Sequence, residues 1–430
     1  MTANEFIAQL SQKLNRSLLS SLEACVRCGV CAESCHYFRA MPEPQYIPAQ
    51  RAEAVRRLWR RHSLLPRLFP RWFGASLGDD DQELKKLQDV VFGTCTMCRR
   101  CVLNCPMGVD TGLIVRTARG ILASAGYIPE GLKATVDIHL ATGNNMGVSK
   151  EDLVETLEWM EEQLQGETGD PEAKIPLDKP GARYLYTLNP REPKYFPLTI
   201  LAAAKIFYAA GADWTISTQA WDVTNYALFS GEDAAARQIV NMLAQEAKRL
   251  GVKEVIMAEC GHGYRAFRWE GENWIGEAYP FKVRGFVELM AEFLEKGTIK
   301  VNPEANPQPV TYHDPCNQAR NGGIVEEPRY ILARVVKDFR EMEPHGENNF
   351  CCGGGGGMLS MTEYSKNRIA AGETKARQIA ATGAKIVATS CHNCLDQLAE
   401  INRHYKLGVK IHNLCELVAE ALVLEPPKSS

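Results

Sequence analysis

Five cysteines towards the C-terminus carry the strongest chemical signal: Cys316, the adjacent pair Cys351-Cys352, and Cys391 with Cys394, in the pattern C-x34-CC-x38-C-x2-C. Five thiols are one too many for a four-ligand zinc site, and adjacent cysteines seldom serve two corners of one tetrahedron. The set therefore points to a larger multi-iron cluster of unusual shape, and to sulfur chemistry rather than electron carriage alone. Five glycines, Gly353 to Gly357, follow the pair directly. A phosphate loop would need Gly-Lys followed by Ser or Thr, or G-x-G-x-x-G at a strand-to-helix turn. Here Met358 stands in the sixth place and no lysine comes next. Gly353, Gly354 and Gly355 are read instead as backbone that passes close to a cluster, offering N–H groups with no Cβ in the way. The bland alternative is a flexible linker.

Eight further cysteines form two copies of one spacing. Cys25, Cys28, Cys31 and Cys35 read C-x2-C-x2-C-x3-C, and Cys95, Cys98, Cys101 and Cys105 repeat it, with Pro106 after the second run. This is the spacing of a ferredoxin with two cubane 4Fe-4S clusters, in which three close thiolates hold one cluster and the fourth reaches the other. It predicts Cys25, Cys28, Cys31 and Cys105 on one cluster, and Cys95, Cys98, Cys101 and Cys35 on the other. Two zinc sites would pair C-x2-C knuckles over longer separations. His36 replaces the proline that usually follows the fourth cysteine, and is read as a local change rather than a ligand.

The elements that must position these thiols follow from composition and pattern. A chain of 430 residues with 45% apolar content holds two or three domains. A net charge of −3 argues against a nucleic-acid binder. Residues 1–20 form an amphipathic helical pattern without the apolar core of a signal peptide, so the cysteines are expected to be reduced ligands in a cytoplasmic protein. No stretch approaches the ~18 apolar residues of a membrane span, which leaves membrane association to a partner.

Between the ferredoxin motifs lies a basic insertion, residues 47–78, with Arg51, Arg56, Arg57, Arg60, Arg61, Arg67 and Arg71 interleaved with Leu58, Trp59, Leu64, Leu65, Leu68, Phe69, Trp72 and Phe73. Such a mixture describes a surface that meets anionic lipid headgroups or a partner protein. The alternative is a helix packed on its own cluster domain, its arginines balancing the clusters. Pro66 and Pro70 favour a short irregular segment over one long helix.

Residues 142–180 are expected to form a helix over 150–165 and then a linker. Beyond them, β-branched runs at 183–186, 255–257, 310–312 and 385–387 alternate with helical stretches, which indicates α/β units around a largely parallel sheet. Residues 246–267 repeat weakly as 375–398, each a helix, a turn, a strand and a cysteine at the strand's end. The alignment sets Cys260 opposite Cys391 and Gly263 opposite Cys394, while Phe229-Ser230-Gly231 falls where Phe350-Cys351-Cys352 would. One half keeps a five-thiol site and the other has lost it.

The eight ferredoxin cysteines together with TYHDPC (311–316), FCCGGGGG (350–357) and TSCHNC (389–394) resemble the catalytic subunits of heterodisulfide reductases of the HdrD type and their DsrK relatives in sulfate reducers and sulfur oxidisers. The resemblance covers nearly the whole chain. It implies a multidomain α and α/β fold: a ferredoxin-like domain with two 4Fe-4S clusters (1–141), a helix and linker (142–180), a degenerate CCG half (181–300) and an intact CCG half (301–430). It also implies a noncubane 4Fe-4S cluster on Cys316, Cys351, Cys352, Cys391 and Cys394, at which a disulfide or trisulfide is cleaved. Only one CCG motif is intact, and the lone cysteine of residues 259–265 looks more like the DsrK branch. That branch implies a place on the cytoplasmic face of the membrane, beside a haem b subunit exchanging electrons with menaquinone, and a DsrC-like sulfur carrier as substrate.

Two cysteines remain. Cys415 reads as a buried apolar residue, and Cys260 either exchanges with substrate or assists as a ligand, or is a vestigial buried thiol. His313 and His392 adjoin the ligand cysteines and would either protonate a leaving thiolate or only hydrogen-bond the turns that carry the thiols. Two other functions compete: a non-catalytic electron conduit in a membrane complex, and the iron–sulfur subunit of a flavin-linked glycolate or glycerol-3-phosphate dehydrogenase.

Overall fold

A computed structural model of the protein describes residues 1–75 and 81–424; positions 76–78 of the basic insertion lie outside the described residues. Packing divides the chain into two compact units that do not follow chain order. The first joins Met1–Ala134 to the short segments Tyr226–Asp233 and Asn348–Arg377, and the second comprises Thr135–Asn225, Ala234–Glu347 and the chain from Gln378 on. The first unit thus includes Phe229 and the Cys351-Cys352 loop as well as the ferredoxin motifs. Among the described residues no helix is long and apolar enough to cross a membrane.

The first unit is helical. The amphipathic N-terminal pattern forms two helices, Ala3–Gln12 and Arg16–Glu23. Thr2 and Glu5 cap the first reciprocally, and the Asn15 side chain accepts the Leu18 N–H to start the second. Both, with Pro48–Arg60 and Asp81–Gly93, pack on the helix Thr111–Ser124. Gly120 in that helix is required by close approach: a Cβ there would sit 2.3 Å from the Gly231 carbonyl oxygen of the 226–233 segment. The insertion divides in two. Pro48 occupies the first turn of its long helix, where a missing N–H costs nothing, and the short helices Leu64–Leu68 and Pro70–Phe73 follow.

The second unit holds two parallel sheets. Strands β1 (Tyr184–Tyr186), β2 (Trp214–Thr215), β3 (Glu254–Met257) and β4 (Lys282–Gly285) lie in the order β2-β1-β3-β4. Strands β5 (Val310–His313), β6 (Ile386–Thr389) and β7 (Lys410–Asn413) lie in sequence order. The fully buried, β-branched character of β3 and β6 suits central parallel strands covered on both faces. The repeat seen in the sequence is a repeat of structure. β3 and β6 each end in a cysteine that caps a helix, Cys260 before Gly261–Tyr264 and Cys391 before His392–Tyr405. β4 and β7 each run into a helix whose third residue folds back, Glu288 accepting the Gly285 N–H (2.6 Å) and Glu416 the Asn413 N–H (3.0 Å). The helix expected over 150–165 runs on to Thr168 and ends at Gly169 with φ +66°.

Candidate iron–sulfur centres

No disulfide links any of the fifteen cysteines, all of which are among the described residues. In the first unit the two ferredoxin loops have the same backbone. Arg27 and Gly29 after Cys25, and Met97 and Arg99 after Cys95, all take positive φ, between 52° and 83°. Three of these are not glycines, so side-chain strain is accepted at matching places in both loops. Such left-handed turns aim N–H groups at a sulfur, as Met97 N does at Cys95 Sγ (3.4 Å). One hollow is lined by Cys25, Cys28, Cys31, Cys101 and Cys105. A second is lined by Cys35, Cys95, Cys98 and Cys101, with His36, Tyr37 and Arg51.

The two hollows differ in setting. Cys28 of the first is exposed, and Cys25, Cys31 and Cys105 are half-buried. In the second, burial and the neighbouring Cys98, Cys35 and Cys95 push the Cys101 thiol well above its ordinary range. Such crowded thiols ionise only with a cation among them, which is what an iron–sulfur group supplies.

Part of the insertion serves this second hollow. Arg51 is buried, and its Nη2 donates to Cys35 Sγ (3.3 Å) and to the Tyr46 carbonyl (2.7 Å), while Nε donates to Thr94 Oγ1 (2.9 Å). Burial works against its charge, but the Cys35 and Cys95 thiols outweigh that and hold the guanidinium above its usual value. Arg56 is also buried, bonding the carbonyls of Leu22 (2.7 Å) and Ser21 (2.9 Å), and Leu58 is in the core. These three therefore do not belong to the docking surface expected from the sequence; helical periodicity turns them inward. Leu64, Leu65, Leu68, Phe69, Trp72 and Phe73 are exposed.

The Cys351-Cys352 loop completes the first unit. Gly353 N lies 3.4 Å from Cys351 Sγ and Gly354 N 3.5 Å from Cys352 Sγ, so two of the three glycines singled out do offer N–H groups to sulfur. The steric demand falls later in the run: a Cβ on Gly356 would lie 2.6 Å from the Thr96 carbonyl oxygen, inside the second ferredoxin loop. Cys351, Cys98 and His36 bring their ligand atoms within 4.8 Å of one another. His36, set aside in the sequence, is 2% exposed and stands between a ferredoxin thiol and the first of the paired cysteines.

Arg119 holds this arrangement from below. It is fully buried, and its guanidinium donates to the carbonyls of Val91 (2.8 Å), Cys95 (2.6 Å), Phe229 (2.9 Å) and Gly356 (2.8 Å). Burial pulls it down to about 10, with Cys95 opposing. One side chain thus bonds the 226–233 segment, the glycine run and a ferredoxin loop. Nothing in the local sequence around it carries a motif that would have found it.

In the second unit Cys316 follows β5, while Cys391 and Cys394 open the helix after β6, and all three are buried. Cys260 sits at the matching end of β3, and the two strand ends face each other. Gly261 N lies 3.4 Å from Cys391 Sγ, His392 N donates to the Glu259 carbonyl (3.0 Å), and His262 Nδ1 lies 3.1 Å from Asn393 Nδ2. The Cys394 thiol and the Gly261 N–H hold Cys391 below the ordinary thiol range despite burial. Cys260 goes the other way, pushed up by burial and by Cys391. Its sulfur lies within 3.4 Å of Gly263 N, Asn189 Nδ2 and Thr224 Oγ1.

His313 and Cys394 come within 4.8 Å. His392 turns to Glu192 Oε1 and Asn413 Nδ2, both 3.4 Å away. Cys415 is buried, as expected, but it is not simply apolar: its N–H donates to Glu259 Oε1 (3.2 Å), and the thiol meets the same carboxyl. Burial holds Glu259 well above the usual carboxylate range.

These donor sets fit iron–sulfur groups, and known proteins agree. The 4Fe-4S dicluster domain family matches residues 21–109, and the cysteine-rich CCG domain family matches residues 310–399. The Hdr-like menaquinol oxidoreductase iron–sulfur subunit of Archaeoglobus profundus is 30% identical across 95% of this chain and 81% of its own length. The corresponding subunit 2 of Archaeoglobus fulgidus is equally similar over the same shares. The HdrD-type polypeptide of the dihydromethanophenazine:CoB–CoM heterodisulfide reductase of Methanosarcina barkeri is 27% identical across 96% of this chain and 97% of its own. Shared along almost the entire length, ferredoxin loops and cysteine-rich region alike, this likeness places the chain in the heterodisulfide reductase-like family of iron–sulfur oxidoreductase subunits.

Proposed function

We propose that the chain passes electrons between a quinone-linked membrane partner and a sulfur–sulfur bond. In this reading the ferredoxin cysteines hold two cubane clusters, and Cys316, Cys351, Cys352, Cys391 and Cys394 hold a noncubane 4Fe-4S cluster. The observation that carries it is the meeting of Cys98 and Cys351 within 4.8 Å, which puts a ferredoxin thiol beside the first of the paired cysteines. When bound, the clusters supply single electrons, two of which with two protons convert R–S–S–R′ into R–SH and R′–SH.

The protein's own groups prepare that exchange. The N–H groups of Gly353, Gly354 and Gly261 stabilise charge on the sulfurs of Cys351, Cys352 and Cys391. His313, beside Cys394, and His392, next in sequence to Cys391 and linked to Glu192, are the proposed proton carriers. Cys260, held by Asn189, Thr224 and Gly263, shapes the opposing wall.

Relatives named as a menaquinol oxidoreductase subunit and as a CoB–CoM heterodisulfide reductase subunit support both ends of this path. The finer assignment is a haem b membrane subunit exchanging electrons with menaquinone at the cytoplasmic face, and a DsrC-like carrier whose disulfide or trisulfide is the substrate. The test is stepwise oxidation of the cluster-loaded protein with a thiol or a DsrC-like persulfide present, followed by electron paramagnetic resonance. A new signal that requires the thiol is expected. A spectrum indifferent to the thiol would leave an electron conduit without sulfur chemistry.

A further inference from the structure

The outer part of the insertion serves none of the centres described. Leu64, Leu65, Leu68, Phe69, Trp72 and Phe73 are each between 43% and 87% exposed, on two helices of five and four residues and, for Phe69, the joint between them. Water-exposed apolar side chains gathered so closely mark a contact surface rather than chance exposure. From Ala54 to Ala75 the sequence has six arginines and no acidic residue. Beside the apolar helices lies an open cleft of about 450 Å3, lined by Arg27, Arg57, Arg60, Arg71, Glu53 and Gly74 among others. Glu53 is its only carboxylate, bound to Arg60 (2.5 Å) and Arg27 (3.3 Å), so four guanidiniums share one negative charge. A cleft this large takes a phosphodiester headgroup with several waters, each needing ~30 Å3.

We infer that this surface binds an anionic phospholipid bilayer directly, with the lipid phosphate in the arginine cleft and the 64–73 side chains among the upper acyl chains. Charge complementarity decides the occupant: an acid-free run of arginines beside Trp, Phe and Leu is the composition of an interfacial anchor. Pro66 and Pro70 keep the segment short and bent, which presents Phe69 and Trp72 outward instead of folding them onto the core. The contact needs no other subunit and no turnover, so its failure would leave the redox reading untouched.

The test is flotation of the cluster-loaded, full-length protein with vesicles rich in phosphatidylglycerol or made of phosphatidylcholine alone. Binding to the anionic vesicles only, weakening as salt rises, is expected. The double variant Arg57→Ala/Arg71→Ala should lose about thirty-fold in partitioning. Phe69→Ser/Trp72→Ser should lose binding while keeping its iron content and circular dichroism. The inference is overturned if the parent ignores both vesicles, or if the Phe69/Trp72 variant still floats. It is equally overturned if inorganic phosphate at buffer concentration abolishes binding, since the cleft would then be a site for free phosphate.

Discussion

Cys260 and Cys391 stand at equivalent strand ends in the two halves of the second unit, yet their thiol pKa values are pushed in opposite directions. Each follows the central strand of a parallel sheet and caps the helix beyond. Cys391 has Cys394 one turn on and the Gly261 N–H across the pseudo-twofold, and both favour its thiolate. Cys260 has Gly263 where Cys394 would be, and burial together with the neighbouring Cys391 pushes its thiol up. The lesson is that a duplicated scaffold supplies a strand-end cysteine twice, while a second thiol one turn along is present in only one copy. The degenerate half then acquires another duty, since its Gly261 N–H supports the sulfur of the intact one.

The sharpest way to break this comparison is to exchange the fates of the two thiols. Cys391→Ser should remove about four iron and four sulfide per chain. Cys260→Ala should keep the parent's iron content and paramagnetic spectra and lose only about 1 kcal/mol of stability, the worth of its thiol hydrogen bonds. Iron loss in both would make Cys260 a ligand and end the distinction.

Next in size is Arg119→Leu. Its guanidinium bonds Phe229 O and Gly356 O, on equivalent loops of the two halves, so losing it leaves buried carbonyls unsatisfied. A loss of about 3–5 kcal/mol is expected in chemical unfolding. A neutral result would mean that water replaces the side chain and that the two loops are not held in common.

The smallest effect concerns Glu259, whose counterpart in the intact half is Ser390. Burial raises the folded-state pKa of this carboxyl above its unfolded value of about 4.3. The stability it contributes is therefore complete below about pH 4.3 and is lost as pH rises through the folded pKa. Glu259→Gln cannot ionise, so it should gain on the parent by about 1.4 kcal/mol per pH unit above 4.3, until the folded pKa is passed. Urea unfolding of both proteins at several pH values reads this directly, and a pH-independent difference would show that the carboxylate is charged in the fold.

Much of the site was legible because its thiols come in short groups of recognisable spacing. The two ferredoxin motifs, the CC pair and C-x2-C declare themselves by spacing, the strands β3, β5 and β6 by their β-branched residues and β1 by its tyrosines. What escaped depends on partners far along the chain. Arg51 and Arg57 belong to one arginine-rich helix, and only helical phase sends the first to Cys35 and the second to the cleft rim. Arg119 bonds only to carbonyls, which leave no mark in residue types. His36 gained its meaning from Cys351, more than three hundred residues later. Cys415 looked apolar because its carboxyl partner, Glu259, comes from another strand end.

The discontinuous first unit also sets a timetable for synthesis. Its ferredoxin loops are complete once residue 134 has been made, but the segment that packs against Thr96 and Cys98 ends at Arg377. At ~5–20 residues per second, the roughly 240 residues between them take on the order of ten to fifty seconds to emerge. During that interval the thiols of the second hollow lack their final cover. The ferredoxin loops of the nascent chain are thus uncovered first, and the Cys351-Cys352 loop packs on them afterwards.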